Sequence, residues 1–144
     1  MSDLDTLLIE RACERLIIES ANCNDRRDWA ALAALYTPDG VVVRPSGQRI
    51  EGRAAIEAAY AAGPGERVTR HLCTNIAIDV DGPHTAHATT AVLIVSGVRS
   101  QDPEVTFGVV PSEHHKVGEF ADRFERTDDG WRIAERRASL LMDI

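Results

Sequence analysis

The sequence has almost no lysine. Lys116 is the only one; the other basic side chains are arginines. The net charge is −7, and no Lys/Arg cluster is dense enough to track phosphates, which excludes nucleic acid as an expected partner. Long apolar runs are also missing. None approaches the ~20 residues that cross a bilayer. Leu7-Leu8-Ile9 is too short for a signal peptide and is followed at once by Glu10 and Arg11. The expected location is cytoplasmic, with no membrane partner. There are 3 cysteines, Cys13, Cys23 and Cys73. If one helix carries the first two, they lie about 15 Å apart along its axis, too far to bridge. An odd count without CxxC spacing argues against zinc. His71, His87 and His114 have no metal-ligand spacing, so neither metal nor cofactor is expected. No repeat or low-complexity segment is present.

What is there fits one domain spanning residues 1–144. A chain of this length buries roughly 68–70% of its unfolded surface, enough for a core and a modest cavity. Leu4, Leu7, Leu8, Ala12, Leu16, Ile17 and Ala21 recur at helical spacing, predicting an amphipathic helix over about 3–24. Asp28 is placed to N-cap a second helix from Trp29 to Tyr36, which Thr37-Pro38-Asp39-Gly40 ends with a turn. Val41-Val42-Val43 reads as a short strand, with Gln48-Arg49-Ile50 as its hairpin partner. Gly52 precedes a third, alanine-rich helix over 53–62, stopped by Gly63-Pro64-Gly65.

Strands follow, over about 68–80, 85–98, 116–126 and from Trp131, with Asp81-Gly82 and Asp128-Asp129-Gly130 as turns. Val105 to Val110 reads as a strand or a flap. Helices followed by consecutive antiparallel strands imply an α+β fold, with helices covering one face of a curved sheet over a hollow. In the first long strand His71, Cys73 and Asn75 share one parity, and Leu72, Thr74, Ile76, Ile78 and Val80 the other. A histidine and an asparagine on one face mark a polar spot in a pocket.

The residues then resemble a known family. The run Asn24-Asp25-Arg26-Arg27-Asp28-Trp29 with Leu32, Tyr36, Pro38-Asp39-Gly40 and Gly52-Arg53-Ala54-Ala55-Ile56 resembles the SnoaL-like branch of the NTF2-like superfamily. So do Thr69-Arg70-His71-Leu72 with Asn75, Gly118 to Asp122, and Arg126 to Ile133, in the family's order over about 5–137. The resemblance implies an NTF2-like (cystatin-like) cone: three N-terminal helices on a strongly curved, mixed or antiparallel sheet enclosing a pocket. It also implies a small-molecule ligand and a homodimer through the outer sheet face. Members include scytalone dehydratase-like and ketosteroid isomerase-like enzymes, polyketide cyclases, dioxygenase small subunits and non-catalytic binders, so fold alone does not fix function.

Asp25 and His71 match the Asp–His pair of the dehydratase-like members. The two carbonyl-polarising tyrosines of those enzymes stand here as Asn24 and Arg44, and their second histidine as Thr89. An imidazole exchanges protons near neutral pH, with an ordinary pKa of about 6.5, and a carboxylate behind it fixes its tautomer. His71 and Asp25 are therefore the candidate catalytic pair. Asn24, Arg44, Asn75, His87, Asp122 and Tyr36 are the candidate substrate-binding residues. Each has a plainer reading. His71 can be a core histidine and Asp25 a helix-end carboxylate. Asp122 can pair with Arg123 or Arg137. Arg44 can lie in solvent, Asn75 can bond backbone, and Tyr36 can be packing. Phe120 stands where the family often has tyrosine, and Trp131 reads as a core anchor. The expected function is a cofactor-independent lyase or isomerase acting on an apolar, cyclic carbonyl compound. The alternatives are a non-catalytic small-molecule binder or an accessory subunit resembling the dioxygenase small subunit.

Overall fold

In the computed structural model, which describes residues 1–144, the chain runs through three helices and seven strands. These are α1 (Asp3–Arg26), α2 (Trp29–Ala34), β1 (Tyr36–Val43), β2 (Arg49–Glu51), α3 (Arg53–Ala61), β3 (Arg67–Val80), β4 (Thr85–Arg99), β5 (Val109–Pro111), β6 (Lys116–Thr127) and β7 (Gly130–Asp143). The sheet order is β2-β1-β7-β6-β4-β3, with β5 added beside β4. All pairs are antiparallel except β1 with β7, which makes the sheet mixed. No helix is long and apolar enough to cross a membrane.

Local chemistry sets the helix ends. Ser2 and Asp5 form a reciprocal capping box at the start of α1. Its other end closes on Arg27, at φ 60° and ψ 33°, whose N–H donates to the carbonyls of Asn24 and Cys23. Asp28 caps α2, accepting from the Ala31 N–H at 3.2 Å. This abrupt α1–α2 corner holds Asn24, Asp25 and Arg27 where the helix meets the sheet. Ile9, Cys13, Leu16 and Ile17 form the buried stripe of α1 and join Leu32, Val42, Ile56, Phe124 and Ile133 in one core. Leu4, Leu7 and Leu8 continue the helical period but stay exposed.

Four sequence expectations need correction. The second helix stops at Ala34, and Tyr36 already pairs with Ile133 of β7. Thr37-Pro38-Asp39-Gly40 is no free turn but an irregularity inside β1, whose register resumes at Val41 opposite Glu135. The segment 105–110 yields strand only from Val109, and Phe107 stands 90% exposed. The fourth correction matters most. β3 has a bulge between Thr74 and Ala77, with Asn75 at φ 50°. A bulge inserts one residue and reverses the facing of everything after it. Thr69, His71 and Cys73 face the helices before it, and Ile76, Ile78 and Val80 face the same way after it. Further register shifts interrupt the β6–β7 ladder at Val117/Gly118 and Arg123/Phe124. Together these irregularities bend the sheet around the helices.

Candidate functional site

Between the concave face and the helices lies a pocket of about 510 Å³. Its lining includes Asn24, Tyr36, Arg44, Tyr60, His71, Phe120 and Arg136. The Asp25 carboxylate sits behind His71. Its Oδ1 lies 2.6 Å from His71 Nδ1 and accepts from Thr69 Oγ1 at 3.0 Å. Its Oδ2 accepts from the His71 backbone N–H at 2.9 Å. Burial alone would raise the Asp25 pKa. The hydrogen bonds from His71 and Thr69, and the attraction of the imidazole, outweigh it and hold the carboxyl below its ordinary value. An ionised Asp25 accepts a hydrogen bond from Nδ1–H, so the proton stays on Nδ1 and Nε2 carries the free lone pair. Alternation along β3 turns Thr69 and His71 toward the last turn of α1, which joins the pair across the fold.

A second buried carboxylate supports a second group. Asp122 of β6 accepts from Arg136 of β7 in a fork, Nε to Oδ1 at 2.7 Å and Nη2 to Oδ2 at 2.8 Å. Arg136 Nη1 donates to Ser20 Oγ at 2.8 Å, and the guanidinium lies 4.2 Å from the centre of the Phe120 ring. Burial would lower the Arg136 pKa, but the Asp122 charge outweighs it and raises it, so the cation persists. Only part of its five N–H donors is engaged, and Arg136 is itself part of the cavity wall.

Asn24, Arg44 and Tyr36 thus reach the cavity, along with His71 and, behind it, Asp25. Three candidates do not line it. Asn75 is exposed at the bulge, where its side chain accepts from Thr74. His87 is on the outer face, its ring nitrogens 3.0 Å from Asp81 and 3.4 Å from Asp79. Asp122 is buried behind Arg136, and its partner is neither Arg123 nor Arg137. Thr89, read as standing for a second histidine, is exposed on the outer face as well. Sequence reasoning missed Tyr60 and Arg136. Burial raises the pKa of both Tyr36 and Tyr60, so each phenol keeps its proton as a donor. The Arg136 signal was cross-strand register, which places it opposite Asp122. Burial also pushes the Cys13 thiol up to about 12 and raises that of Cys73, leaving no thiolate nucleophile near neutral pH.

The SnoaL-like domain model matches residues 5–137. A protein from Novosphingobium aromaticivorans, provisionally named a scytalone dehydratase, is 23% identical over 99% of this chain and 91% of its own, with a TM-score of 0.83. An NTF2-like protein with a cystatin-like fold from the same species is 25% identical over 94% of this chain and 84% of its own, at 0.74. The hexachlorocyclohexane dehydrochlorinase LinA-type3 of Novosphingobium barchaimii is 16% identical over 99% and 93%, at 0.82. No curated protein matches the chain. The fold is NTF2-like, three helices on a mixed, curved sheet.

Proposed function

The chain belongs to the SnoaL-like domain family, and from that premise we propose that it is a cofactor-independent lyase or isomerase for a small, apolar, cyclic carbonyl compound. The observation that carries this reading is the 2.6 Å contact between Asp25 and a histidine that lines the pocket. In the proposed reaction, Nε2 of His71 removes a proton from the carbon beside the substrate carbonyl. The electron pair moves into an enolate, whose oxygen receives hydrogen bonds from cavity donors. Tyr36, Tyr60, Asn24 and Arg136 are the side chains available for this. Asp25 stabilises the imidazolium that forms. For a dehydratase, the enolate then expels a β-hydroxyl group, which leaves as water with the proton from Nε2, and a carbon–carbon double bond forms. For an isomerase, the same proton returns at another carbon. The names of two similar structures, a dehydratase and a dehydrochlorinase, both denote eliminations.

The test is α-proton exchange of cyclic ketones in deuterated water, followed by NMR. His71→Ala should slow the exchange by ~10²–10⁴-fold, the usual contribution of a positioned base. Exchange at the wild-type rate in that variant removes His71 from the chemistry. Retention of a ketone with no exchange in the wild type favours the second reading, a binding protein on the same scaffold. The proposal also takes the homodimer to form through the outer sheet face, where Leu72 is half exposed. Sedimentation of Leu72→Lys should then shift toward monomer.

A further inference from the structure

The cavity reverses the sign of the molecule that holds it. The chain has a net charge of −7, yet the cavity wall contains Arg27, Arg44, Arg67 and Arg136 and not one aspartate or glutamate. The carboxylates closest behind that wall, Asp25 and Asp122, have side chains only 2% and 0% exposed and are each committed to a partner. Asp122 compensates Arg136. The other three arginines have no ion-pair partner; Arg15, Arg53, Arg70, Arg99, Arg126 and Arg132 share that state, but only Arg27, Arg44 and Arg67 bring it to a wall without carboxylates.

Two of these cations are built into an aromatic wall. The Arg27 guanidinium lies 5.1 Å from the centre of the Trp29 ring. Trp29 stacks on Tyr60 at 5.9 Å with 26° between the planes. The Arg44 guanidinium lies 5.5 Å from the centre of the Tyr60 ring and donates to the Ala59 carbonyl at 3.1 Å. The row Arg27, Trp29, Tyr60, Arg44 is thus two stacked rings between two unpaired cations, and all four side chains line the cavity. Such ring contacts hold a guanidinium in place but do not neutralise it. Low-dielectric walls around charges of one sign concentrate the field on a ligand, and a cationic ligand is rejected by the same field.

We propose that the cavity is built for an organic anion: a ring-bearing carboxylic acid whose apolar ring lies against Trp29 and Tyr60 and whose carboxylate lies in the combined field of the unpaired wall arginines Arg27, Arg44 and Arg67, paired with the one it reaches. This rests on the reading of the cavity as the ligand site given above and specifies the class of that ligand. Arginine presents the planar fork that a carboxylate matches. His71 and Arg136 are left for the reacting part of the same molecule.

The probes are naphthylacetate and naphthylacetamide, which share shape and differ in charge. Calorimetric titration of the full chain should give ~10-fold tighter binding of the acid at ~20 mM salt, falling to ~2-fold at ~300 mM as the charges are screened. Arg67 is exposed at the start of β3 and can be replaced without disturbing the core. Arg67→Gln should cost the acid ~3–10-fold and leave the amide unchanged. Arg27→Gln/Arg44→Gln/Arg67→Gln, with a near-ultraviolet circular dichroism spectrum confirming its fold, should bind both probes alike. Equal affinities in the wild type, no binding of the acid at millimolar concentration, or a preference that survives in the triple variant overturns the proposal. Turnover is read separately. Acid preference without α-proton exchange in either cyclic ketones or ring-bearing keto acids sinks the enzymatic reading and keeps this one, and His71-dependent exchange without acid preference does the reverse.

Discussion

Asp25→Asn isolates the role of the buried carboxylate. The carboxylate accepts three hydrogen bonds, from Thr69 Oγ1, from the His71 backbone N–H and from His71 Nδ1. An asparagine of the same shape offers one acceptor oxygen and one NH₂ group. If the NH₂ takes the Oδ2 position, it opposes the His71 backbone N–H, donor against donor. If it takes the Oδ1 position, it must donate to Nδ1. That tautomer carries its proton on Nε2, and the lone pair facing the cavity is gone. Either arrangement weakens the site, and the second abolishes the base. A base held in the wrong tautomer costs on the order of 10³–10⁴-fold in rate. Loss of the charge-assisted bonds costs about 1.5–3 kcal/mol of stability. For a domain of this length the unfolding entropy is about 0.3 kcal/mol per kelvin, so the melting temperature should fall by about 5–10 °C. Ketone exchange rates, thermal melts and ¹⁵N shifts of the His71 ring read the three consequences separately. A variant that keeps more than a tenth of the wild-type exchange rate, with Nε2 still unprotonated, refutes the assignment of Asp25 as the group that fixes the tautomer.

Asp122→Asn leaves the Arg136 guanidinium buried without its counter-charge, and a broken buried pair costs about 3–5 kcal/mol; urea unfolding should show that loss at unchanged m-value. Replacing both partners with apolar residues, Asp122→Leu/Arg136→Met, should be less damaging than Asp122→Asn alone, as a double-mutant cycle will show. The Asp25 carboxyl lies below its ordinary value of 3.8, so its contribution is complete above about pH 4 and is lost as the pH falls through the folded value. The stability gap between wild type and Asp25→Asn should therefore close as the pH falls below about 4, measured by melts across pH. Asn75 holds φ at 50°, a conformation that a β-branched residue resists. Asn75→Val should cost about 1–3 kcal/mol in chemical denaturation, whereas Asn75→Gly should not.

The long elements were legible because period alone reveals them: 3.6 along α1, 2 along β4 and β6. The exceptions share a cause. Thr37-Pro38-Asp39-Gly40 has turn chemistry, and a Thr37–Asp39 hydrogen bond of 3.1 Å forms there, yet the flanking pairing with β7 absorbs the distortion into a strand. The bulge at Asn75 changes facing by one residue, and no count of apolar positions reveals where a ladder slips. This is why Asn75 was assigned to the wrong face, and Ile76, Ile78 and Val80 with it. Asp25 and His71 could be singled out together only through the resemblance, since the hydrogen bond that joins them spans 46 positions. Asp122 was noticed, but its partner depended on the β6–β7 register, with two slips in it, so the neighbouring Arg137 was as good a guess as Arg136. Tyr60 was hidden in an alanine-rich helix whose cavity-facing side only the packing of α3 against α2 defines.

The one parallel pairing in the sheet has a consequence for how the molecule is made. β1 is among the first strands to leave the ribosome, but its long neighbour is β7, the final strand. Until that strand emerges, β1 has only the three-residue β2 beside it and presents an open edge. The chamber, walled in part by α1 and by β7, has no complete wall until β7 has joined β1. A chain released before β7 is made therefore has an unpaired strand edge and no chamber, the condition from which edge-to-edge aggregation starts.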